Sequence, residues 1–488
     1  MKLILGPIVG AVTHKKAKVW IFGDHSNENE TAPQCLVFKD EKCTKKVFQS
    51  PFETVSSSVH ESDAIHGLAG LAEISFPSGR EKIYFKIVSP SADEGQNDRI
   101  YTIRPFPKIN AGIDTLSFGL ISCHRPTLKP DDKEETVARM WRYLGDMMNK
   151  HDCRFLCQVG DQVYCDHDQF NAWEMSLEAE SPEKRLWYYR EAYLKHWNFP
   201  EVQEVVRTFP QYMIWDDHEI TNGWGSSLKH SKDDKCRKVF EVARQVFFEF
   251  QHSHNPDPLR KGEHYFAFNH GPVAFLFMDI RGHRDIALYN PLKPDEGYPL
   301  AGEQQWEDIQ AWLNSDTIQQ SKAMFVITSV PVIHLNRKFG SLGIFKNDIN
   351  DQWSTAHNKK ERRLLLKVLY EWIGETNRPV FILSGDVHVG TFGKITELET
   401  GRVVHQISAS PITYDPAYYL DFFLQKWSGE FDFHLEDDQK GPIHGEITER
   451  YRRRNFAIIT VQFKEQTPQV TLNMYEERQD EPVKVEFF

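Results

Sequence analysis

The sequence predicts an α/β fold preceded by a β-sandwich, and three observations carry that reading. Residues 1–110 hold short alternating segments, such as Ala17–Phe22, Gln34–Phe38 and Lys82–Val88, separated by stretches rich in Asn, Ser, Gly and Pro. From Thr115 onward, short apolar runs alternate with segments of helical period. Six of those apolar runs end in side chains able to ligate a metal or hold an anion.

Taken in order, the opening Met1–Trp20 stretch is interrupted by Gly6, Pro7 and Gly10, which reads as the first strand of the mature fold and not as a leader. A cytoplasmic protein is the expectation that follows. Ser89–Asn97 reads as a polar loop and Ile100–Arg104 as the last strand of the sandwich. The pattern changes at Pro105–Ala111, giving two expected units, 1–110 and 111–488. Beyond it, helices are predicted over Glu134–Asn149, Lys235–Gln251, Gly302–Asn314 and Lys359–Ile373, where apolar residues recur at spacings of three and four. Two strands, Ala457–Phe463 and Gln469–Tyr475, close the chain.

Composition narrows the classes of function. The chain has 488 residues, 58 Lys plus Arg against 70 Asp plus Glu, and a formal charge of −12. That balance argues against a broad nucleic-acid-binding surface. With 40% hydrophobic and 26% charged residues it describes a folded chain with a substantial core. No run reaches the roughly 20 apolar residues of a transmembrane helix. Seven scattered cysteines do not form a disulfide framework, and Cys153 and Cys157 read as buried thiols.

The chemistry lies at the ends of the apolar runs. Leu116–Ile121 leads to Ser122-Cys123-His124-Arg125, and Phe155–Val159 to Gly160-Asp161-Gln162-Val163-Tyr164. Tyr212–Trp215 leads to Asp216-Asp217-His218-Glu219, and Ala274–Met278 to Asp279-Ile280-Arg281. Phe325–Val330 leads to Pro331 and His334, and Val380–Leu383 to Ser384-Gly385-Asp386-Val387-His388. A single Asp after a strand is more often a helix cap than a ligand; six such endings together point to one site. Thiolate (Cys123), phenolate (Tyr164) and imidazole (His388) suit a strong Lewis acid such as Fe(III), with Asp161 bridging to a second, oxygen-rich site for Ca, Mn, Mg or Zn. Paired metals suit phosphoester hydrolysis by a bound hydroxide. His218 is the candidate acid at the leaving group, and Arg125 and Arg281 are the candidate phosphate clamps. His124, His334, Asp351 and Trp353 are weaker candidates for the pocket.

In this order, Ser122-Cys123, Gly160-Asp161-x-x-Tyr164, Trp215-Asp216-Asp217-His218-Glu219, Asp279-x-Arg281 and Ser384-Gly385-Asp386-x-His388 resemble the alkaline phosphatase D (PhoD-like) family of calcineurin-like metallophosphoesterases. The opening Gly6–Gly10 with Val19-Trp20 is similar to that family's N-terminal sandwich. The resemblance implies two packed β-sheets flanked by helices and a metal-dependent phosphomonoesterase or phosphodiesterase. It assigns Cys123, Asp161, Tyr164 and His388 to an iron-type site. It assigns Asp161, Asp386 and either Asp217 or Asn222 to a second site, of the calcium kind. The substrate expected is a phosphate ester, either a small molecule or a lipid headgroup. Two alternatives stand beside this reading. In one, Tyr418, Tyr419, Phe422 and Phe423 make the chain a lipid- or nucleotide-specific phosphodiesterase; in the other, it is a non-catalytic, metal-containing binding protein.

Overall fold

A computed structural model describes residues 1–24, 31–56, 67–90, 92, 94–109, 111–126, 133–167, 170–290, 292–293, 297–334, 353, 355–415, 431–434, 442–465, 467–479 and 481–487. Asp351 and the aromatic residues Tyr418, Tyr419, Phe422 and Phe423 lie outside the described residues.

Two β-sheets form the centre of the molecule. In the first, Thr115–Ile121, Leu156–Val159 and Gln211–Ile214 run parallel, side by side. Asn455–Lys464 adds antiparallel to Thr115–Ile121, followed by Thr467–Glu476 and Val483–Phe487. In the second, Val273–Phe277, Ala323–Ile327, Val380–Ser384 and Val403–Ser408 are parallel neighbours within an eight-stranded sheet. These strands are buried along nearly their whole length, as expected for parallel strands covered on both faces.

Aromatic rings join the sheets. Phe118 and Phe155 of the first sheet meet Phe275 of the second edge-on, with ring centroids 5.3 Å apart in both cases. Phe118 also meets Phe325 at 5.1 Å, and the contacts continue through Phe325 to Phe381. Edge-to-face pairs of this kind add about 0.5–1.5 kcal/mol each beyond the area they bury. Aromatic residues make up 13% of the chain, and many of them are core.

The four helices read from periodicity are Lys133–Lys150, Asp234–Phe250, Glu303–Leu313 and Lys359–Ile373. Two others were not read from the sequence: the short Pro200–Thr208, which buries Val202, Val205 and Val206, and Pro182–Trp197, which carries no clean apolar stripe. The hidden face of Pro182–Trp197 is built from Tyr189, Arg190, Tyr193 and His196, with Arg190 forked onto Glu249 at 2.7 Å through both nitrogens. A buried charged pair thus replaces the hydrophobic signal. The polar Ser89–Asn97 stretch, expected as loop, carries the short helix Glu94–Asp98. No helix among the described residues is long and apolar enough to cross a membrane.

Before residue 104 the chain forms two four-stranded antiparallel sheets, one built on Lys2–Val12, Lys16–Asp24 and Gly67–Ser75, the other on Gln34–Phe38 and Ile83–Val88. The first is pressed against the part of the chain that follows it. Trp20 Nε1 donates to Glu249 O at 2.8 Å and Gly6 N to Gln203 Oε1 at 2.7 Å. A Cβ on Gly10 would stand 1.9 Å from His254 O, so only glycine allows that approach. All seven cysteines are unpaired; Cys157 lies within its strand, whereas Cys153 precedes it, and both are buried.

Candidate metal centre

Strand ends bring the predicted ligands together. Cys123 follows Thr115–Ile121, Asp161 follows Leu156–Val159, and Asp216 and Asp217 follow Gln211–Ile214. Asp386 and His388 arrive from the facing sheet, beyond Val380–Ser384. The turns presenting them are constrained. Of nine described non-glycine residues at positive φ, four are Cys123 (56°), Asp161 (57°), Asp386 (62°) and His388 (52°). The left-handed region costs an L residue about 1–2 kcal/mol. Four such residues in one cluster show the fold overriding local preference to set side-chain positions.

Three donor groups share Asp161, one of them with Asp217 and His218, and the other two hold the predicted ligands. Cys123 Sγ, an Asp161 oxygen and a His388 ring nitrogen lie within 4.8 Å of one another. The Tyr164 hydroxyl joins them, donating to Asp161 Oδ2 at 3.2 Å and lying 3.2 Å from His388 Nε2. Ser410 supports this group from behind: its Oγ lies 3.1 Å from Cys123 Sγ and accepts His388 N–H at 3.1 Å. The second group is all carboxylate, with oxygens of Asp161, Asp216, Asp217 and Asp386 within 4.8 Å. Asp217 thus lies within this carboxylate group. Asn222 is exposed, and its backbone N–H donates to Asp166 Oδ2 at 2.6 Å.

The donors fit a cation. Asp161 Oδ1, Asp216 Oδ2 and Asp217 Oδ1 are buried without a hydrogen-bond donor, which is costly for carboxylates unless positive charge faces them. Burial, then Asp161, pushes the Cys123 thiol well above its ordinary range. Burial does the same to the Tyr164 phenol, reinforced by Asp161. Such groups become ligands when a metal displaces their protons.

Glu219 ties the turns together. It accepts the backbone N–H groups of Asp161 (3.1 Å), Gln162 (2.7 Å) and Asp216 (2.8 Å). One carboxylate thus fixes the two loops that carry three of the clustered aspartates. The sequence reading quoted Glu219 and Asp216 within their motif but gave neither a role; two adjacent carboxylates after a strand were the available signal.

The candidate catalytic residues separate on inspection. His218 is buried beside the cluster, its ring 4.2 Å from that of Tyr164, with Nδ1 2.8 Å from Asp166 Oδ1. Burial opposes its protonation, but Asp166, Asp217 and Asp161 outweigh this and hold the imidazolium well above the usual histidine range. Asp166 and His167, both within 4.8 Å of a His218 nitrogen, were missed by the sequence reading, since neither follows a strand directly. The Arg125 guanidinium lies over Tyr414 at 4.9 Å and Tyr164 at 5.8 Å, while Tyr414 stacks on His388 at 3.9 Å.

Arg281 is sealed from solvent. Expected as a phosphate clamp, it is 0% exposed, its Nε donates to Asp216 Oδ1, and its NH2 lies 3.6 Å from Asp217 Oδ1. Its charge is spent on the carboxylate cluster from the protein side. Asp279 turns the chain there, accepting Trp215 Nε1 at 2.8 Å and the N–H groups of Arg281 and Gly282. His124 is buried between Thr413 and the carbonyl of His196. Trp353 is buried, donating to Thr328 Oγ1 at 3.0 Å, and His334 is buried outside the donor groups.

Comparison with known proteins agrees with this arrangement. Residues 118–437 match the model of the PhoD-like phosphatase family. A solved structure of PhoD superposes with a TM-score of 0.65 at 14% identity, covering 98% of this chain and 88% of that one. A purple acid phosphatase, PPD1, from yellow lupin (Lupinus luteus) seeds gives a TM-score of 0.60 at 9% identity, covering 98% and 73%. At these identities the likeness is one of fold. The uncharacterized protein YGR266W of Saccharomyces cerevisiae is 23% identical over 411 residues, 60% of this chain; the chain spans just over half of that relative, 56% of its length. With two facing sheets, clustered donor side chains at their strand ends and a family match over most of its length, the chain belongs to the PhoD-like phosphatase family.

Proposed function

We propose that the chain hydrolyses phosphate esters at a paired-metal centre. An iron-type ion would be held by Cys123, Asp161, Tyr164 and His388, and a harder divalent ion, calcium by preference, would be held by Asp161, Asp216, Asp217 and Asp386. The observation that carries this reading is the sharing of Asp161 between a thiol–phenol–imidazole group and an all-carboxylate group. Softer donors favour a transition metal, and carboxylates favour a hard one. Bound there, the ions would supply Lewis-acid charge and an activated water.

The chain's own residues do the rest. Arg125, held over the Tyr414 and Tyr164 rings, pairs with a phosphoryl oxygen. Asp166 engages His218 Nδ1 and so directs Nε2 toward the leaving-group oxygen, where it gives up a proton. Arg281 and Glu219 hold the aspartates in register from behind.

Metal analysis of protein purified without chelators, with spectroscopy and turnover of bis-p-nitrophenyl and p-nitrophenyl phosphate, tests the reading. Iron with a visible tyrosinate band that Tyr164→Phe removes, and activity lost in Asp161→Ala and Asp386→Ala, are expected. Colourless protein holding only zinc would overturn the iron assignment. Metal-replete protein that cleaves neither ester would overturn the function.

A further inference from the structure

Residues 409–415, which follow the strand Val403–Ser408, form a strap across the softer donor group. Ala409 O accepts the Ser122 hydroxyl at 2.9 Å, and the Ile412 N–H donates to Ser122 O at 3.0 Å. Thr413 Oγ1 lies 3.0 Å from His124 Nδ1. Arg454 fastens the far end, donating through Nε to Thr413 O at 3.0 Å and pairing with Asp415 and Glu477. Bonds at both ends therefore fix where the last ring of the strap, Tyr414, stands.

Tyr414 reaches three of the four donors assigned to the iron-type ion. Its backbone N–H donates to Cys123 O at 3.2 Å. Its ring lies 5.2 Å from that of Tyr164 and 3.9 Å from that of His388, nearly parallel to the imidazole at 15°. His388 Nε2 is the nitrogen that faces the Tyr164 hydroxyl. A ligating imidazole needs its plane held so that the nitrogen aims at the ion, and an aromatic ring stacked on it fixes that plane by packing.

The oxygen end of the same side chain holds a charge. The Arg125 guanidinium lies 4.9 Å from the ring centre and hydrogen-bonds the hydroxyl. Arg125, Tyr414 and His388 are each half-buried, so solvent reaches this edge of the donor set. Packing alone accounts for the ring. It does not account for the bond from the hydroxyl to Arg125, the candidate phosphate clamp that stays partly exposed.

We propose that Tyr414 is a positioning residue that joins a metal ligand to the phosphate clamp, its ring setting the plane of His388 and its hydroxyl holding the Arg125 guanidinium. The assignment rests on the paired-metal function and deepens it: metal binding and substrate binding share one side chain, with separable contributions from ring and hydroxyl.

Tyr414→Phe keeps the ring and loses the hydroxyl, whereas Tyr414→Leu loses both. Iron retained against a graded chelator, and KM and kcat for bis-p-nitrophenyl phosphate, are measured for each on iron-loaded protein. Tyr414→Phe should retain iron as wild type does and raise KM about fivefold at unchanged kcat, by freeing Arg125. In an Arg125→Ala background the same change should leave KM alone, because the hydroxyl acts through that arginine. Tyr414→Leu should weaken iron retention about tenfold, as expected of a group that orients a ligand. Wild-type KM in Tyr414→Phe, a KM effect that persists without Arg125, or wild-type iron retention in Tyr414→Leu would each overturn the assignment. Wild-type protein that cleaves no ester would overturn the proposed function instead, and iron retention would still decide the role of Tyr414.

Discussion

Arg281→Met is the most discriminating substitution the structure offers. Arg281 is the buried cation facing Asp216 and Asp217 from the protein side, with no exposed surface of its own. Removing it leaves Asp216 with the Ser329 hydroxyl at 2.7 Å as the contact on its Oδ1 oxygen. Breaking a buried ion pair by deleting one partner costs about 3–5 kcal/mol, because the remaining charge is uncompensated. In metal-free protein the full cost should appear; in metal-loaded protein it should shrink, since bound cations meet the same carboxylates. Urea unfolding followed by tryptophan fluorescence, with chelator and with metal, measures both. In chelator, Arg281→Met/Asp216→Asn should cost at least ~1 kcal/mol less than the sum of the single variants, because each removes the same pair. The opposite result would be a variant within about 0.5 kcal/mol of wild type, with normal metal content but a KM for phosphate ester raised tenfold. That outcome would make Arg281 a substrate clamp and refute the reasoning given for its burial.

Three other expectations follow from the same contacts. Asp166→Asn should lower kcat by about 10–100-fold while metal content stays constant, because it loosens His218 without touching a proposed ligand; metal analysis beside steady-state kinetics checks both halves. Gly160→Ala should reduce metal retention, since Gly160 has φ +99° and a Cβ there would stand 2.6 Å from Asp216 Cβ; metal content after dialysis against weak chelator reads the effect. His264 is held to about pKa 3 by burial, with Arg244 and His283 adding to the effect, against roughly 6.5 in the unfolded chain. Because the unfolded chain binds the proton first, its contribution is present above pH ~6.5 and is lost as pH falls toward 3, about 2 kcal/mol at pH 5. His264→Phe should flatten the acid limb of the stability profile, and an unchanged limb would count against this assignment.

The sequence was most legible where one physical signal dominated. The helices at Lys133–Lys150 and Lys359–Ile373 were readable because their buried faces are apolar at spacings of three and four. The parallel strands were readable as short continuous apolar runs, because both faces of each are covered. Pro182–Trp197 was not, because its hidden face is partly Arg190 and His196, whose burial depends on Glu249 from a distant helix and on the backbone of Tyr164.

The same division runs through the site. Cys123, Asp161, Tyr164, Asp386 and His388 could be named from residue type and position after strands, since a ligand's chemistry is a property of its side chain. What a charged residue does with its charge is not. Arg281 and Arg125 look alike in sequence, yet one is sealed against Asp216 and the other lies over Tyr414 beside the donor groups. Asp166, Glu219 and the pairing of Asp216 with Asp217 likewise depend on which loops meet across two sheets. By itself the sequence determined the fold class and the donor chemistry, because both are encoded in local pattern and side-chain type. Only the tertiary structure decided which charges pair with buried carboxylates and which lie beside the donor groups, because burial and distance set the strength of every electrostatic interaction.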